Sequence, residues 1–264
     1  DLIDQRALTL NDVEIFVLDE ADQMMDLGFI HDLKRVDKLL PQKRQSLFFS
    51  ATMPKKIAEL GNRFLNNPVR VSVTPESTTA ERVQQFATFV NQKEKQALLN
   101  HKLAAPDIDL ALVFTRTKHG ADRVVRNLAG AGIEARAIHG NKSQGQRTQA
   151  MQDFRTGKIK ILVATDIAAR GIDVPGVSHV FNFELPNVPE QYVHRIGRTA
   201  RAGKEGEAIS FVADDERAYL KDIERLTKVR LTNVKLPEGF REMVANLPKP
   251  KRPERSEEQS RGGG

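Results

Sequence analysis

Apolar residues along this chain fall into two alternating patterns. Short runs rich in Val, Ile, Leu and Phe recur near 13–18, 45–49, 86–90, 109–114, 134–138, 159–164, 177–183 and 207–212. Runs of that length bounded by polar residues predict buried strands. Between them, apolar positions recur at three- and four-residue spacing. Phe29, Ile30, Leu33, Val36, Leu39 and Leu40 form one helical face that stops at Pro41, while Ile57, Leu60, Phe64 and Leu65 form another behind Pro54 at a helix start. Further helices are expected near 93–104, 119–130, 144–155, 189–197 and 214–228. Strand–helix alternation of this kind predicts an α/β fold with a parallel sheet and helices on both faces. Asp1 to Leu8 reads as a helix remnant, and the alternation of Val69, Val71 and Val73 predicts a further strand.

The stretch Thr74-Pro75-Glu76-Ser77-Thr78-Thr79-Ala80 has no periodicity and reads as a linker. It divides the chain into a first unit over 1–73, a linker over 74–82, a second α/β unit over 83–232 and an extension over 233–264. The pattern fades after Thr232, and 246–264, rich in Pro, Lys, Arg and Glu with five basic against three acidic residues, is expected to be disordered.

Composition narrows the picture modestly. The 264 residues are 39% hydrophobic, enough for true cores, and carry a net charge of +6, which suits a polyanionic partner without demanding one. There is no cysteine, which excludes disulfides and thiolate metal sites and fits a reducing, cytoplasmic setting. No apolar run approaches the roughly 18 residues of a membrane-spanning helix.

The chemistry gathers where the predicted strands end. The first strand runs into Asp19-Glu20-Ala21-Asp22, the second into Ser50-Ala51-Thr52, and later ones into Thr115-Arg116-Thr117, His139-Gly140 and Ala164-Thr165-Asp166. In open α/β sheets, ligands bind beyond the carboxyl ends of the strands. A carboxylate there is able to hold Mg²⁺, directly or through water, and a neighbouring Glu to orient a water.

These segments, together with Gln144-Gly145-Gln146-Arg147, the run Ala164 to Asp173 (ATDIAARGID) and the run Tyr192 to Arg201 (YVHRIGRTAR), resemble motifs II to VI of the DEAD-box RNA helicases, in order and over about 230 residues. The runs His119-Gly120-Ala121 and His139 to Gly145 are similar to the bacterial RhlE-like branch. The resemblance implies a partial RecA-like domain followed by a complete RecA-like helicase C-terminal domain and a disordered basic tail. It implies that Asp19 holds the Mg²⁺ of ATP through water and that Glu20 positions the attacking water. It implies that Asp22 links to Ser50, Thr52 and His194, with Arg195 beside them, and that Arg198 and Arg201 are arginine fingers reaching from the second unit to ATP on the first. Asp173 and Gly171 then contact the nucleotide, and Arg116, Gly140, Gln144, Arg147 and Thr165 form an RNA-backbone surface that carries no sequence information.

Each assignment has a plainer alternative. Ser50 and Thr52 suit turn capping, Gln144 and Arg147 a helix-surface pair, and Arg198 a solvated helix end. The basic tail is either a solvated segment or an arginine–glycine element with loose RNA affinity. His31, His101, His119 and His179 show no metal-ligand spacing and are expected at the surface or as capping residues; Phe16, Phe48, Phe49, Phe114 and Phe154 are expected in the core. Ala200 stands where the family usually has Gly.

No G-x-x-x-x-G-K-[ST] occurs in the chain: Gly140-Asn141-Lys142-Ser143 lacks Gly directly before Lys, and Gly203-Lys204-Glu205 lacks a following hydroxyl. ATP phosphates need a cradle of backbone amides and a Lys. The chain opens at Asp1 without Met. The expectation is therefore a fragment of an ATP-dependent RNA helicase that is inactive alone. The alternatives are a non-catalytic RNA-binding module and, less favoured by the Asp-Glu-Ala-Asp and HRIGRTAR wording, a fragment of a DNA helicase.

Overall fold

The computed structural model describes residues 2–26, 28–51, 53, 55–72, 83–169, 172–200 and 206–245. The chain divides into two compact units, 1–74 and 75–264. The expected linker over 74–82 and the tail over 246–264 lie outside the described residues.

In the first unit, β1 (Ile15–Leu18) and β2 (Gln45–Phe48) pair in parallel, with Ile15 opposite Gln45 and Leu18 opposite Phe48. Three helices follow the strands: α1 (Ala21–Asp26), α2 (Ile30–Leu39) and α3 (Lys55–Phe64). They bury Leu18, Leu33, Leu40, Leu60 and Phe64 against Phe16 and Phe48, and Phe16 stacks on Phe64 at 5.4 Å. The period of two in a strand sends alternate side chains to opposite faces. Phe16 and Leu18 meet the helices, whereas Ile15 and Val17 are 59% and 50% exposed. β1 is thus covered on one face only, because no described element packs on the other. Phe49 shares that open face and is exposed rather than core.

Two further expectations fail here. Leu2 to Arg6 form turns, not a helix, since Arg6 adopts a left-handed φ of 56° that breaks helical geometry. Residues 69–72 form no strand, and Val69 and Val71 are almost fully exposed. Their alternation finds no partner strand among the described residues, and an unpaired strand is not stable.

Among the described residues the second unit holds seven strands: β3 (Val83–Phe89), β4 (Ala111–Phe114), β5 (Ala135–Ile138), β6 (Ile161–Ala164), β7 (His179–Asn182), β8 (Gly206–Val212) and β9 (Thr232–Asn233). The sheet order is β5-β6-β4-β7-β8-β3-β9, and every pairing is parallel. Helices α4 (Lys95–Leu103) and α5 (Lys118–Gly130) cover one face with Leu98, Leu99, Val124 and Leu128. On the other face lie α6 (Gln144–Arg155), α7 (Pro189–Ile196) and α8 (Arg217–Thr227), with Phe154, Tyr192, Ile196 and Ile223. A sheet covered on both sides requires strands apolar throughout, and all four residues of β4 are buried.

The sequence pattern misses two elements at the end. β9 adds an edge strand beside β3, and α9 (Phe240–Ala245) returns Phe240 and Val244 to the first face of the core. His179, expected at the surface, is buried in β7, where it stacks on Phe181 and its Nδ1 lies 2.8 Å from Ser178 Oγ. A strand flanked by β4 and β8 has no surface to offer it.

Candidate functional site

Asp19, Thr115, His139 and Thr165 directly follow their strands, and Ser50 stands one residue further past β2. In the first unit, Asp19 follows β1 and its Oδ1 accepts the Glu20 N–H at 2.8 Å. Glu20 has a φ of +50°, a conformation that costs a non-glycine residue energy and often marks functional positions. The Ala21 N–H reaches the Phe49 carbonyl at 3.1 Å, so the turn after β1 is tied to the end of β2. Asp22 is buried, and its N–H donates to Ser50 Oγ at 3.2 Å. Ser50 therefore does cap the first turn of α1, and that same bond brings the predicted pair Asp22 and Ser50 together. Thr52 lies outside the described residues, as do Gly171 and Arg201.

In the second unit, Arg116 follows β4. Its N–H donates to Glu184 Oε2 at 2.8 Å, and its guanidinium lies 3.3 Å from Asn187 Oδ1, 3.7 Å from Glu216 and 5.8 Å from the Tyr219 ring centre. Behind it, Glu216 forms an ion pair with Lys95, both wholly buried. Lys95 also donates to the Phe183 carbonyl at 2.9 Å, and Glu216 accepts the Leu185 and Ala213 N–H groups. Burial lowers the Lys95 pKa below its ordinary value, with the Glu216 carboxylate opposing the shift.

Past β5, the turn 139–143 is fastened to α5. His139 is buried, its Nδ1 accepts the Asn141 N–H at 3.3 Å, and its Nε2 lies 3.0 Å from Asp122 Oδ1, at too oblique an approach for a hydrogen bond. Lys142 Nζ sits 2.9 Å from the same oxygen, and Lys118 Nζ donates to Asn141 Oδ1 at 2.8 Å. Burial raises the Asp122 pKa, but the contacts from His139 and Lys142 outweigh it and leave a net lowering. Ser143 and Gln146 then form a reciprocal capping box, and Gln144 and Arg147 stand on the first turn of α6, 3.4 Å apart. The space a Gly140 side chain would take is open.

Past β6, Asp166 makes a bidentate pair with the buried Arg195 of α7, at 2.5 and 2.8 Å. Arg195 also donates to Asn182 Oδ1 and the Glu184 carbonyl, and lies 5.1 Å above the Phe114 ring. Thr165 joins the same turn, its carbonyl accepting the Ala169 N–H. Arg198 donates to the Ile172 carbonyl at 2.9 Å, one residue from the exposed Asp173. His194 stands half-buried in the last turn of α7. Ala200 has a φ of +53°, so the glycine usual at that position has a conformational reason.

Sequence reasoning passed over Asp122, Glu184, Glu216 and Lys95. Only Asp166 had a signal, inside the ATDIAARGID run.

Two family models match the chain: DEAD/DEAH box helicase over 1–60 and the helicase conserved C-terminal domain over 94–203. The crystal structure of the Escherichia coli DEAD-box protein SrmB bound to the regulator of ribonuclease activity A is 37% identical. The match takes in 60% of this chain and 93% of that one, with a TM-score of 0.56. This chain belongs to the DEAD-box family. Other DEAD-box relatives are longer. The ATP-dependent RNA helicase CshA of Listeria monocytogenes is 46% identical over 90% of this chain and 46% of its own length. The CshA of Streptococcus pneumoniae is 44% identical over 89% of this chain and 45% of its own length. This DEAD-box chain therefore spans just under half of either. Saccharomyces cerevisiae Dbp5 bound to RNA and ADP BeF3 matches with a TM-score of 0.82 at 32% identity, over 93% of this chain and 65% of that one. A RecA-like α/β fold with a parallel sheet is common to these proteins and this chain.

Proposed function

We propose that this chain is part of an ATP-dependent RNA helicase that remodels RNA at the cost of ATP. The observation that carries the reading is the convergence of Arg116, Gly140 and Thr165 past three neighbouring parallel strands, β4, β5 and β6, with Gln144 and Arg147 on the adjoining helix turn. In this reading that surface holds an RNA backbone and makes no base-specific contact. Glu20 orients the attacking water, and Arg198 and Arg201 meet the charge that develops on the transferring phosphoryl group. Asp173 and Gly171 contact the nucleotide. Asp22, Ser50, Thr52, His194 and Arg195 relay nucleotide state.

Magnesium fits the residues present only as a water-bridged ion. Asp19 is exposed, one of its oxygens is already taken by the Glu20 N–H, and no group of three metal-ligating side chains occurs among the described residues. When bound with ATP, the ion supplies charge neutralisation at the phosphates. Asp19 would hold the ion through water, and Glu20 would orient the attacking water and accept its proton.

No P-loop stands in the sequence, which favours a second reading for the chain by itself: an RNA-binding module without ATPase activity. Phosphate release with saturating RNA decides between them. We expect background for the 264 residues alone and RNA-stimulated turnover for a longer protein that carries a P-loop. Turnover near ~1 s⁻¹ from this chain alone would overturn the division of labour, and stimulation by DNA in place of RNA would move the reading to a DNA helicase. The RhlE-like branch is proposed on the runs around His119 and His139, beside relatives that carry the CshA name. A cytoplasmic site of action is proposed as well; among the described residues no helix is long and apolar enough to cross a membrane.

A further inference from the structure

A groove of about 460 Å³ runs along α6, and of its lining the proposed RNA surface uses only Gln144 and Arg147. Its wall is one face of the helix: Gln144, Arg147, Thr148, Met151, Gln152 and Arg155, at the spacing that places side chains above one another. Its floor is apolar, formed by Ile138 at the end of β5, by Ala168 and Ile172 of the segment past β6, and by Met151. Three features give it a chemical preference. Among the described residues no acidic one lines it, while two guanidinium groups do. The two arginines stand eight positions apart on α6, a rise of about 12 Å. The Nε–H of Arg147 is buried and has no hydrogen-bond partner, and a buried donor left unpaired is costly. Its volume falls within the range of small-ligand sites, roughly 300–1,000 Å³.

An apolar floor, amide and hydroxyl groups along the side and a cation at each end suit a base with phosphates of its strand on either side. The groove begins at Gln144 and Arg147, the same residues that end the proposed backbone track. We infer that it receives one base turned out of the bound RNA strand, with a neighbouring phosphate on Arg147 and a phosphate further along the strand on Arg155. The base lies on Met151, Ile138 and Ile172, and a turn of the Arg147 side chain toward the phosphate gives its buried Nε–H the acceptor it lacks. Every base has an apolar face, so such a seat tolerates any sequence. It gives the protein a reason to prefer a strand whose bases are already unstacked. The inference rests on the RNA reading of Gln144 and Arg147.

The test compares a labelled oligouridylate with a strand of equal length whose middle positions are abasic, both titrated against the 264-residue chain. The groove predicts that the intact strand binds at least about fivefold tighter, a typical worth for one stacked base. Met151→Trp fills the floor and should remove that advantage while leaving the affinity for the abasic strand unchanged. Arg155→Gln should weaken both strands and reduce the salt slope by about 0.7. Thr148→Phe, at an exposed position on the same wall, repeats the filling test should Met151→Trp fail to fold by circular dichroism. Equal binding of intact and abasic strands by the wild type, or equal losses on both in the filled variants, overturns the groove while leaving the backbone track intact. If Arg147→Ala and Gln144→Ala leave RNA affinity unchanged, the RNA reading of this surface falls and the groove falls with it. If the filled variants instead bind both strands as the wild type does but release a peptide ligand, the occupant is a protein and the inference is wrong.

Discussion

Arg195→Ala should destabilise the second unit severely. The Arg195 side chain is almost fully buried and satisfies four acceptors at once: both Asp166 oxygens, Asn182 Oδ1 and the Glu184 carbonyl. Its removal strands the carboxylate and a wholly buried amide oxygen, and empties a space above Phe114. Breaking a buried ion pair from one side costs about 3–5 kcal/mol. Asp166 is 23% exposed, so water compensates part of its loss and the lower half of that range applies, about 3 kcal/mol. The lost contact with the Phe114 ring adds roughly 1 kcal/mol, for a total near ~4 kcal/mol. Set against the ~5–15 kcal/mol of a typical domain, that loss lowers Tm by roughly 8–16 °C for a unit of this size. Arg195→Lys keeps the charge but not the planar fork and should cost about half as much. The assay is urea denaturation of the whole chain followed by tyrosine fluorescence. The chain has no tryptophan and only two tyrosines, and both, Tyr192 and Tyr219, lie in the second unit, so the signal reports that unit alone. A loss below about 1 kcal/mol for Arg195→Ala would refute the reasoning and make the pair an accident of surface packing.

Three other outcomes follow from the geometry. Asp122→Asn should lower stability at neutral pH. The Asp122 pKa is lowered in the folded state, so its contribution is present above the unfolded value of about 3.9 and vanishes as pH falls through the folded one; the Tm gap between wild type and variant should hold from neutral pH to about 5 and close below about 4. Ala200→Gly should raise stability by about 1 kcal/mol, because φ there is +53° and only glycine adopts it freely; an unchanged or lower urea midpoint counts against a left-handed Ala200. In a longer protein with a P-loop, Glu20→Gln and Arg198→Ala should each cut RNA-stimulated kcat at saturating ATP by roughly 10³-fold or more, and the double variant should fall far short of the product of the two losses because both serve one step. A loss under about tenfold for Arg198→Ala would mark it as an ordinary helix-end arginine.

What was legible in the sequence was whatever local pattern decides. The second unit's strands and helices were read to within a few residues because strands buried on both faces, such as β4, leave an unbroken apolar run. Strand-end chemistry was legible for the same reason: the change from apolar to polar locates Thr115, His139 and Thr165 at once. The failures share a cause as well. Val69 and Val71 alternate as a strand should, but pairing depends on a neighbour that local pattern does not reveal. The edge strand Thr232–Asn233 carries no apolar signal, because it is specified by its backbone bonds to β3 rather than by its side chains.

The support beneath the site was illegible for a stronger reason. Lys95 and Glu216 are 121 positions apart, and each alone reads as an exposed helix or turn charge. Burying either singly would cost several kcal/mol; buried together, with Glu216 also accepting two backbone N–H groups, they become a rigid post behind Arg116. That arrangement gives a testable distinction. If the pair serves only stability, replacing both by apolar residues of similar size should cost stability, because the Leu185 and Ala213 N–H groups lose their acceptor, yet leave RNA affinity alone. If it positions Arg116, Lys95→Met with Glu216→Leu should retain the fold, by tyrosine fluorescence, yet weaken RNA binding to the level of Arg116→Ala, and adding Arg116→Ala to that double variant should cost nothing more. Additive losses would show that Arg116 finds its place without them.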